Sequence, residues 1–200
     1  REKTPFRVHA TASGMEILEG NAVFGVLDRD LVGRELIALD APFAPLPDLT
    51  VTAFAVPGKV ALYLEGEAPE LELDALGEQT VGLRLQAGGR VAYYIPGCAT
   101  VPDWLVARLS DADLLLFDGT VWENDEMART GTGQKTGRRM GHIAMAGAEG
   151  SLARLAPLDC RKVYIHINNT NPVLQPASPE RAKLEEAGWT LALDGMELTA

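Results

Sequence analysis

Positive charge, long apolar runs and cysteine are all scarce in this sequence. Its 200 residues carry 18 Lys and Arg against 28 Asp and Glu, so the formal net charge is −10 and the isoelectric point is about 4.8. Phosphate contacts need clustered basic side chains, so this charge balance argues against a nucleic-acid partner. No apolar run approaches the roughly 20 residues that span a bilayer, so we expect no membrane segment.

The two cysteines, Cys98 and Cys160, are far apart in the chain, and each is flanked by apolar segments. This pattern favours reduced, buried thiols in a cytosolic protein, and a disulfide between them is the alternative. The first ten residues, REKTPFRVHA, contain no apolar stretch typical of a signal peptide. We therefore predict a cytoplasmic location.

Hydrophobic residues make up 46% of the chain, which is enough for the core of one domain. Their spacing predicts strands that alternate with short helices, an α/β class with a large mixed sheet covered by helices. The last two predicted strands are expected to form a hairpin around Asp194 and Gly195. The predicted strands are 5–10, 34–40, 49–56, 60–66, 79–86, 90–96, 112–118, 161–167, 189–193 and 196–200, and the predicted helices are 11–20, 101–109, 122–130, 150–158 and 178–189.

Four sharp turns follow predicted strands: VPGK at 56–59, IPGC at 95–98, FDGT at 117–120 and IHINN at 165–169. Asparagine favours such turns because its amide bonds to the local backbone and tolerates left-handed geometry. That accounts for the asparagines after the last core strand but not for a histidine at its tip. Polar groups gathered at one edge of a sheet are where α/β folds usually place their sites.

Asp118, His142 and His166 are the chemically most informative set. Imidazole and carboxylate are costly to leave unpaired beside an apolar sheet, and together they suit a metal that takes nitrogen and oxygen donors. Their spacing matches no diagnostic metal motif. The alternative is structural, with Asp118 as a helix N-cap and both histidines satisfied by nearby backbone.

The other candidates also have two interpretations. Lys59 is either a site residue or a solvated turn residue, and Cys98 is either a site residue or a small buried hydrophobe. The glycine-rich loop at 130–141 is either exposed or lines a site. His9, on the first strand, is assigned to packing.

Several strings in the sequence resemble one family, that of coenzyme PQQ synthesis protein B. They run from about residue 5 to the C-terminus and are PGKVALYLEG, YYIPGC, DGTVWENDEM, KTGRRMGHIAM, VYIHINNTNPVL, SPERAKLEEAGW and DGMEL. The resemblance implies a metallo-β-lactamase-like αββα sandwich, whose metal ligands come from loops at one edge between the two sheets.

The resemblance also implies a reduced ligand set. Lys59 stands where many hydrolases of this fold carry a histidine, and Cys98 stands where they carry a bridging aspartate. A dinuclear zinc hydrolase is therefore disfavoured, and a mononuclear site with open positions, as in iron oxygenases, is favoured. By the same resemblance, His166 is a metal ligand, Asp118 is a ligand or proton acceptor, and His142 is a ligand or acid/base.

Substrate contacts are inferred from the same resemblance. Asn168 or Asn169 is expected to orient the imidazole or to bind substrate. Arg138, in the glycine-rich loop, and Lys59 are expected near an acidic substrate. The alternative for Arg138 is a solvated basic loop.

Two of the family's motifs do not occur in this sequence: a CxCxxC segment for a structural Zn²⁺ and an Asp/His-rich metal motif. We therefore expect residues 1–200 to be the C-terminal two-thirds of a single metallo-β-lactamase-like domain whose N-terminal part is missing. On its own the chain is not expected to hold a complete metal centre.

The function implied by the resemblance is a step of pyrroloquinoline quinone biosynthesis. The family implies an oxygenase that uses Fe²⁺ to hydroxylate the tyrosine ring of a crosslinked Glu–Tyr precursor. One alternative is a soluble carrier of the quinone or its precursor towards the periplasm, and another is a metallo-β-lactamase-type hydrolase. A homodimer is a further expectation.

Overall fold

The computed structural model describes residues 3–58 and 76–200. Within them, strands β1 and β2 form a small parallel sheet, and β3 to β9 form a seven-stranded sheet in chain order. The large sheet is antiparallel from β3 to β6 and parallel from β6 to β9, which confirms the predicted mixed sheet. The strands are Phe6–Ala10, Val32–Leu36, Pro42–Leu46, Leu49–Ala55, Val81–Ala87, Arg90–Ile95, Leu114–Asp118, Arg161–Ile165 and Trp189–Leu191.

Six α-helices lie in the described residues, and none of them is long and apolar enough to cross a bilayer. The first packs against β1 and β2, and the last packs against β9. Each of these two helices begins at a side-chain N-cap: Thr11 accepts the N–H of Gly14, and Ser178 accepts the N–H of Arg181. The helices, α1 to α6, are Ala12–Gly20, Asp103–Arg108, Glu126–Arg129, Gly137–Met140, Ser151–Arg154 and Pro179–Glu186.

The core lies around the parallel strands of the large sheet. Leu115 and Phe117 of β7 are fully buried, as the apolar run predicts for a central strand. Leu105 of α2 and Leu184 of α6 are fully buried in the same cluster. Burying these side chains stabilises the fold, since truncating such a leucine to alanine typically costs about 2–5 kcal/mol.

The sequence pattern was wrong at the C-terminal hairpin. Trp189–Leu191 pairs in parallel with β8, and residues 196–200 form no strand. The reason is tertiary: α6 carries the chain across, and the Trp189 ring stacks on Tyr164 of β8 with ring centroids 3.9 Å apart. Burial of this aromatic pair stabilises the pairing of β9 with β8.

Three further differences concern the boundaries of elements. The pattern missed β3, because Pro42 and Pro45 conceal a strand that is tolerated at the edge of a sheet. The second strand begins and ends earlier than predicted, at Val32–Leu36. Loop 130–141 contains α4, one turn of helix. The predicted strand at 60–66 lies outside the described residues.

Candidate metal centre

Three elements bring Asp118, His142 and His166 to one edge of the large sheet. Asp118 ends β7, and His166 directly follows β8, its parallel neighbour. Because Asp118 is opposite Ile165 in the register, the two strands deliver their side chains to the same place. His142 arrives from the loop after α4. One ligand-capable atom of each residue lies within 4.8 Å of those of the other two.

Asp118 is fully buried, and both of its carboxylate oxygens are engaged. Oδ2 accepts the backbone N–H of Cys98 at 3.1 Å and lies 2.8 Å from Nδ1 of His142. Oδ1 accepts the backbone N–H and the hydroxyl of Thr120, at 3.2 and 2.6 Å. Burial by itself raises the pKa of Asp118, but hydrogen bonds from His142, His166 and Thr120 outweigh it and hold the pKa below its usual range. The side chain is therefore a buried carboxylate anion.

His142 is positioned by the ends of α4. Thr136 accepts the N–H of Arg139 and begins the helix, and Gly141 ends it in a left-handed conformation with φ of +92°. The N–H of His142 then donates to the carbonyl of Gly137 at 3.0 Å. A glycine is needed at 141 because other residues rarely adopt this backbone conformation.

His166 also has a left-handed backbone, with φ of +55°. Histidine tolerates this region better than most residues, but it is still uncommon. The bend turns the ring back so that Nδ1 lies 3.6 Å from Oδ1 of Asp118, while the side chain stays 54% exposed. The nearby Asp118 carboxylate raises the pKa of His166, against a smaller opposing effect of burial. The His142 and His166 rings are tilted with centroids 5.1 Å apart.

The asparagine-rich turn after β8 is bonded to the turn after β7. Asn171 is buried, its amide donates to the carbonyl of Gly119 at 3.0 Å, and its oxygen accepts the N–H of Val173. The N–H of Asn168 donates to the carbonyl of Thr120 at 3.1 Å. These bonds hold the loop that carries His166 beside the loop that follows Asp118.

The predicted substrate contacts are found in different surroundings. The amide of Asn168 donates to the hydroxyl of Thr170 at 2.8 Å, within the turn, and Asn169 is exposed. Arg138 lines an open groove of about 890 Å³ together with His142, Glu149 and Arg154. A role in substrate binding stays a prediction for Asn168, Asn169 and Arg138.

Cys98 and Lys59 complete the predicted set. Cys98 is fully buried, and its thiol donates to the carbonyl of Thr100 at 3.0 Å. Burial raises the pKa of this thiol, which therefore stays protonated. Its backbone supports Asp118, so the small-hydrophobe interpretation describes it best. Both cysteines are free thiols. Lys59 lies outside the described residues.

Sequence reasoning did not identify Thr120 or Asn171 as site residues. The only signal for Thr120 was its position two residues after Asp118. It lies in a turn where the sequence pattern indicates only the end of a strand. Asn171 was one asparagine among three, and nothing in the sequence shows that it is the buried one.

A divalent cation fits this donor set. One carboxylate and two imidazoles are ligands that iron, zinc and manganese accept, and three protein ligands leave positions open for other groups. Asp118 supplies a buried negative charge, and the exposed side of His166 opens to solvent.

Comparisons with known proteins agree with the fold and the site. The model of the beta-lactamase superfamily domain matches residues 1–167. Coenzyme PQQ synthesis protein B of Ruegeria pomeroyi is 59% identical over 198 residues, which are 99% of this chain and 66% of that protein. The crystal structure of Zn²⁺-bound PqqB from Methylobacterium extorquens is 51% identical and superposes with a TM-score of 0.96 over 100% of this chain and 67% of that one. The chain belongs to the coenzyme PQQ synthesis protein B family.

The predicted metallo-β-lactamase-like fold is thereby confirmed. YhfI of Bacillus subtilis, a metallo-β-lactamase-fold protein, shares the fold with a TM-score of 0.62 at 11% identity over 95% of this chain and 63% of that one. The chain spans 66% of the length of the first curated relatives of the PQQ synthesis protein B family.

Proposed function

We propose that this chain supplies part of the metal site of an enzyme of PQQ biosynthesis, which uses Fe²⁺ to hydroxylate the tyrosine ring of a crosslinked Glu–Tyr precursor. The observation that carries the proposal is the cluster of Asp118, His142 and His166 beside an open groove. Membership of the PQQ synthesis protein B family supports the pathway, and the donor set supports a metal-dependent reaction.

The Zn²⁺ bound by the Methylobacterium extorquens relative supports a divalent-metal site in this family. When bound, a redox-active ion such as iron would supply the activation of O₂ that ring hydroxylation needs. His142 and His166 are the residues that would hold it, and Asp118, whose oxygens lie beside Nδ1 of His142 and the hydroxyl of Thr120, would be the proton acceptor next to them. Asp118 offsets part of the positive charge of such an ion inside the protein.

Other residues of the chain would handle the substrate. The precursor carries carboxylates, and the exposed guanidinium of Arg138 in the groove can form charge-assisted hydrogen bonds with one of them. His142 lies both in the cluster and in the groove wall, so a metal held by its imidazole would be accessible to a molecule bound in the groove.

A mass measurement tests the proposed reaction. The complete gene product is loaded anaerobically with Fe²⁺ and precursor, O₂ is admitted, and the precursor is analysed by mass spectrometry. Incorporation of oxygen atoms from labelled O₂ is expected with Fe²⁺ and not with Zn²⁺. Binding of the precursor without mass change would instead favour the carrier. Incorporation of oxygen from labelled water, or cleavage, would favour the hydrolase.

A further inference from the structure

Thr120 lies at the centre of the candidate metal centre without being one of its candidate ligands. Its Oγ1 is 2.6 Å from Oδ1 of Asp118, 2.8 Å from Nδ1 of His166 and 3.1 Å from Nδ1 of His142. The same oxygen is 3.1 Å from the backbone carbonyl oxygen of His166. One buried hydroxyl therefore contacts all three candidate ligands.

The hydrogens around this hydroxyl can be counted. A threonine hydroxyl has one hydrogen to donate and two lone pairs that accept. Oδ1 of Asp118 is the nearest partner, at 2.6 Å, and accepts the hydrogen of this hydroxyl. The two lone pairs of Thr120 then face the Nδ1 atoms of His142 and His166. Both contacts are favourable only if each Nδ1 carries a hydrogen that it can donate to the threonine oxygen.

We propose that Thr120 is a positioning residue that holds His166, and together with Asp118 holds His142, as Nδ1–H donors and so leaves Nε2 of each ring free to bind the metal. The second contact of His142 agrees with this assignment, because its Nδ1 also lies 2.8 Å from Oδ2 of Asp118, which can only accept. The hydrogen bond made by one ring nitrogen determines which nitrogen is left to ligate.

This inference rests on the proposed function only in treating the cluster as a metal site. The tautomer assignment itself follows from Thr120, Asp118 and the two rings and needs no metal. The two parts can therefore fail separately.

The test compares three variants of the complete gene product. Thr120→Val removes the hydroxyl and keeps the shape, and Thr120→Ser keeps the hydroxyl. Thr170→Val is the matched control, because the hydroxyl of Thr170 donates to Oε1 of Glu126 at 2.6 Å in the neighbouring loop and contacts neither ring. The protonated nitrogen of each ring is read by ¹⁵N NMR of histidine-labelled, metal-free protein, and the affinity for Zn²⁺ is read by calorimetry.

We expect Nδ1–H rings at 142 and 166 in the wild type, in Thr120→Ser and in Thr170→Val. In Thr120→Val, His166 loses the fixed Nδ1–H state, and the affinity for Zn²⁺ falls roughly 10–100-fold, as is typical for loss of a partner of a ligating histidine. Thermal melting of each variant shows whether a loss of Zn²⁺ affinity comes from unfolding. Thr170→Val shows how much stability is lost when a threonine hydroxyl is removed from the same region.

Two results would overturn the inference. One is a wild-type His166 that carries its hydrogen on Nε2, and the other is a folded Thr120→Val protein with unchanged ring nitrogens and unchanged Zn²⁺ affinity. A wild type with both Nδ1–H rings but no Zn²⁺ binding would support the tautomer assignment and contradict the proposed function.

Discussion

The carboxylates at the two ends of β7 have different kinds of partners. At the amino end of β7, Asp111 accepts two hydrogen bonds from Arg84, at 3.2 and 2.7 Å, and Asp113 pairs with Arg90 at 2.6 Å. At the carboxyl end, Asp118 pairs only with imidazoles and hydrogen-bond donors.

The difference lies in what the partners can do next. A guanidinium stays charged and has no lone pair that could bind a metal, so the pairs of Arg84 with Asp111 and of Arg90 with Asp113 contribute to the fold and not to a metal site. An imidazole can lose its hydrogen and bind a metal, so a carboxylate paired with imidazoles remains available for chemistry. We therefore expect changes at the amino end to alter stability alone, and changes at the carboxyl end to alter metal binding first.

The largest expected effect is at His166. His166→Ala should lower metal affinity by at least ~100-fold, because the proposed ligand is lost, while the ring, which is 54% exposed, contributes little to packing. Metal analysis after gel filtration and thermal melting measure the two effects. Because alanine is strained at φ of +55°, His166→Gly serves as the second variant. Full metal content in both would show that His166 is structural.

Asn171→Ala should have the next largest effect. Although it lies at the carboxyl end, it should lower both the stability of the fold and the affinity for metal. It leaves the buried carbonyl of Gly119 and the N–H of Val173 without these bonds, which should cost about 1–3 kcal/mol. It also loosens the loop that carries His166, so metal affinity should fall as well. Gln175→Ala, at an exposed position of the same loop, is the control for urea unfolding and metal titration, and equal results for the two would refute this account.

For the proposed reaction, Arg138→Ala should raise KM for the precursor about tenfold, which equals about 1.4 kcal/mol, with little change in metal content. The reason is the loss of a cation in the groove beside His142. Arg139→Ala, in the same turn of helix but outside the groove lining, is the matched control. Steady-state kinetics measure KM for both variants. A similar KM for the two would show that Arg138 does not bind the substrate.

Asp111→Asn should have the smallest effect, below about 1 kcal/mol, because this pair is partly exposed. Hydrogen bonds from Arg84 and Tyr93 outweigh burial, the largest single influence, and lower the pKa of Asp111. The ionised form is therefore favoured in the folded state, and its contribution is present above the unfolded pKa of about 3.9 and is lost as pH falls through the lower, folded value.

Asp111→Asn should consequently have a lower free energy of unfolding than the wild type at pH 7. In chemical unfolding experiments this difference should shrink at pH 3. Asp103→Asn, at a side chain that is 96% exposed, is the control and should show almost no deficit. Unchanged metal binding in Asp111→Asn is also expected. A loss of metal there would show that the two ends are coupled.

Much of the fold could be predicted from the sequence because the signals are local. Apolar spacing predicted a strand at 112–118 and a helix at 178–189, where the structure has β7 and α6. The predicted strands 79–86 and 90–96 correspond to β5 and β6, which pair antiparallel. The parallel pairing of β9 could not be predicted, since it depends on the contact of Trp189 with Tyr164.

The candidate site divides in the same way. The sequence by itself determined that an aspartate and a histidine would end two buried strands, because apolar spacing and turn residues act over a few positions. Only the tertiary structure decided that His142 would join them, that Thr120 would bridge both rings, and that Asn171 would be the buried amide. These contacts span 22 to 52 residues, and strand order and loop packing, which no local pattern encodes, bring them together.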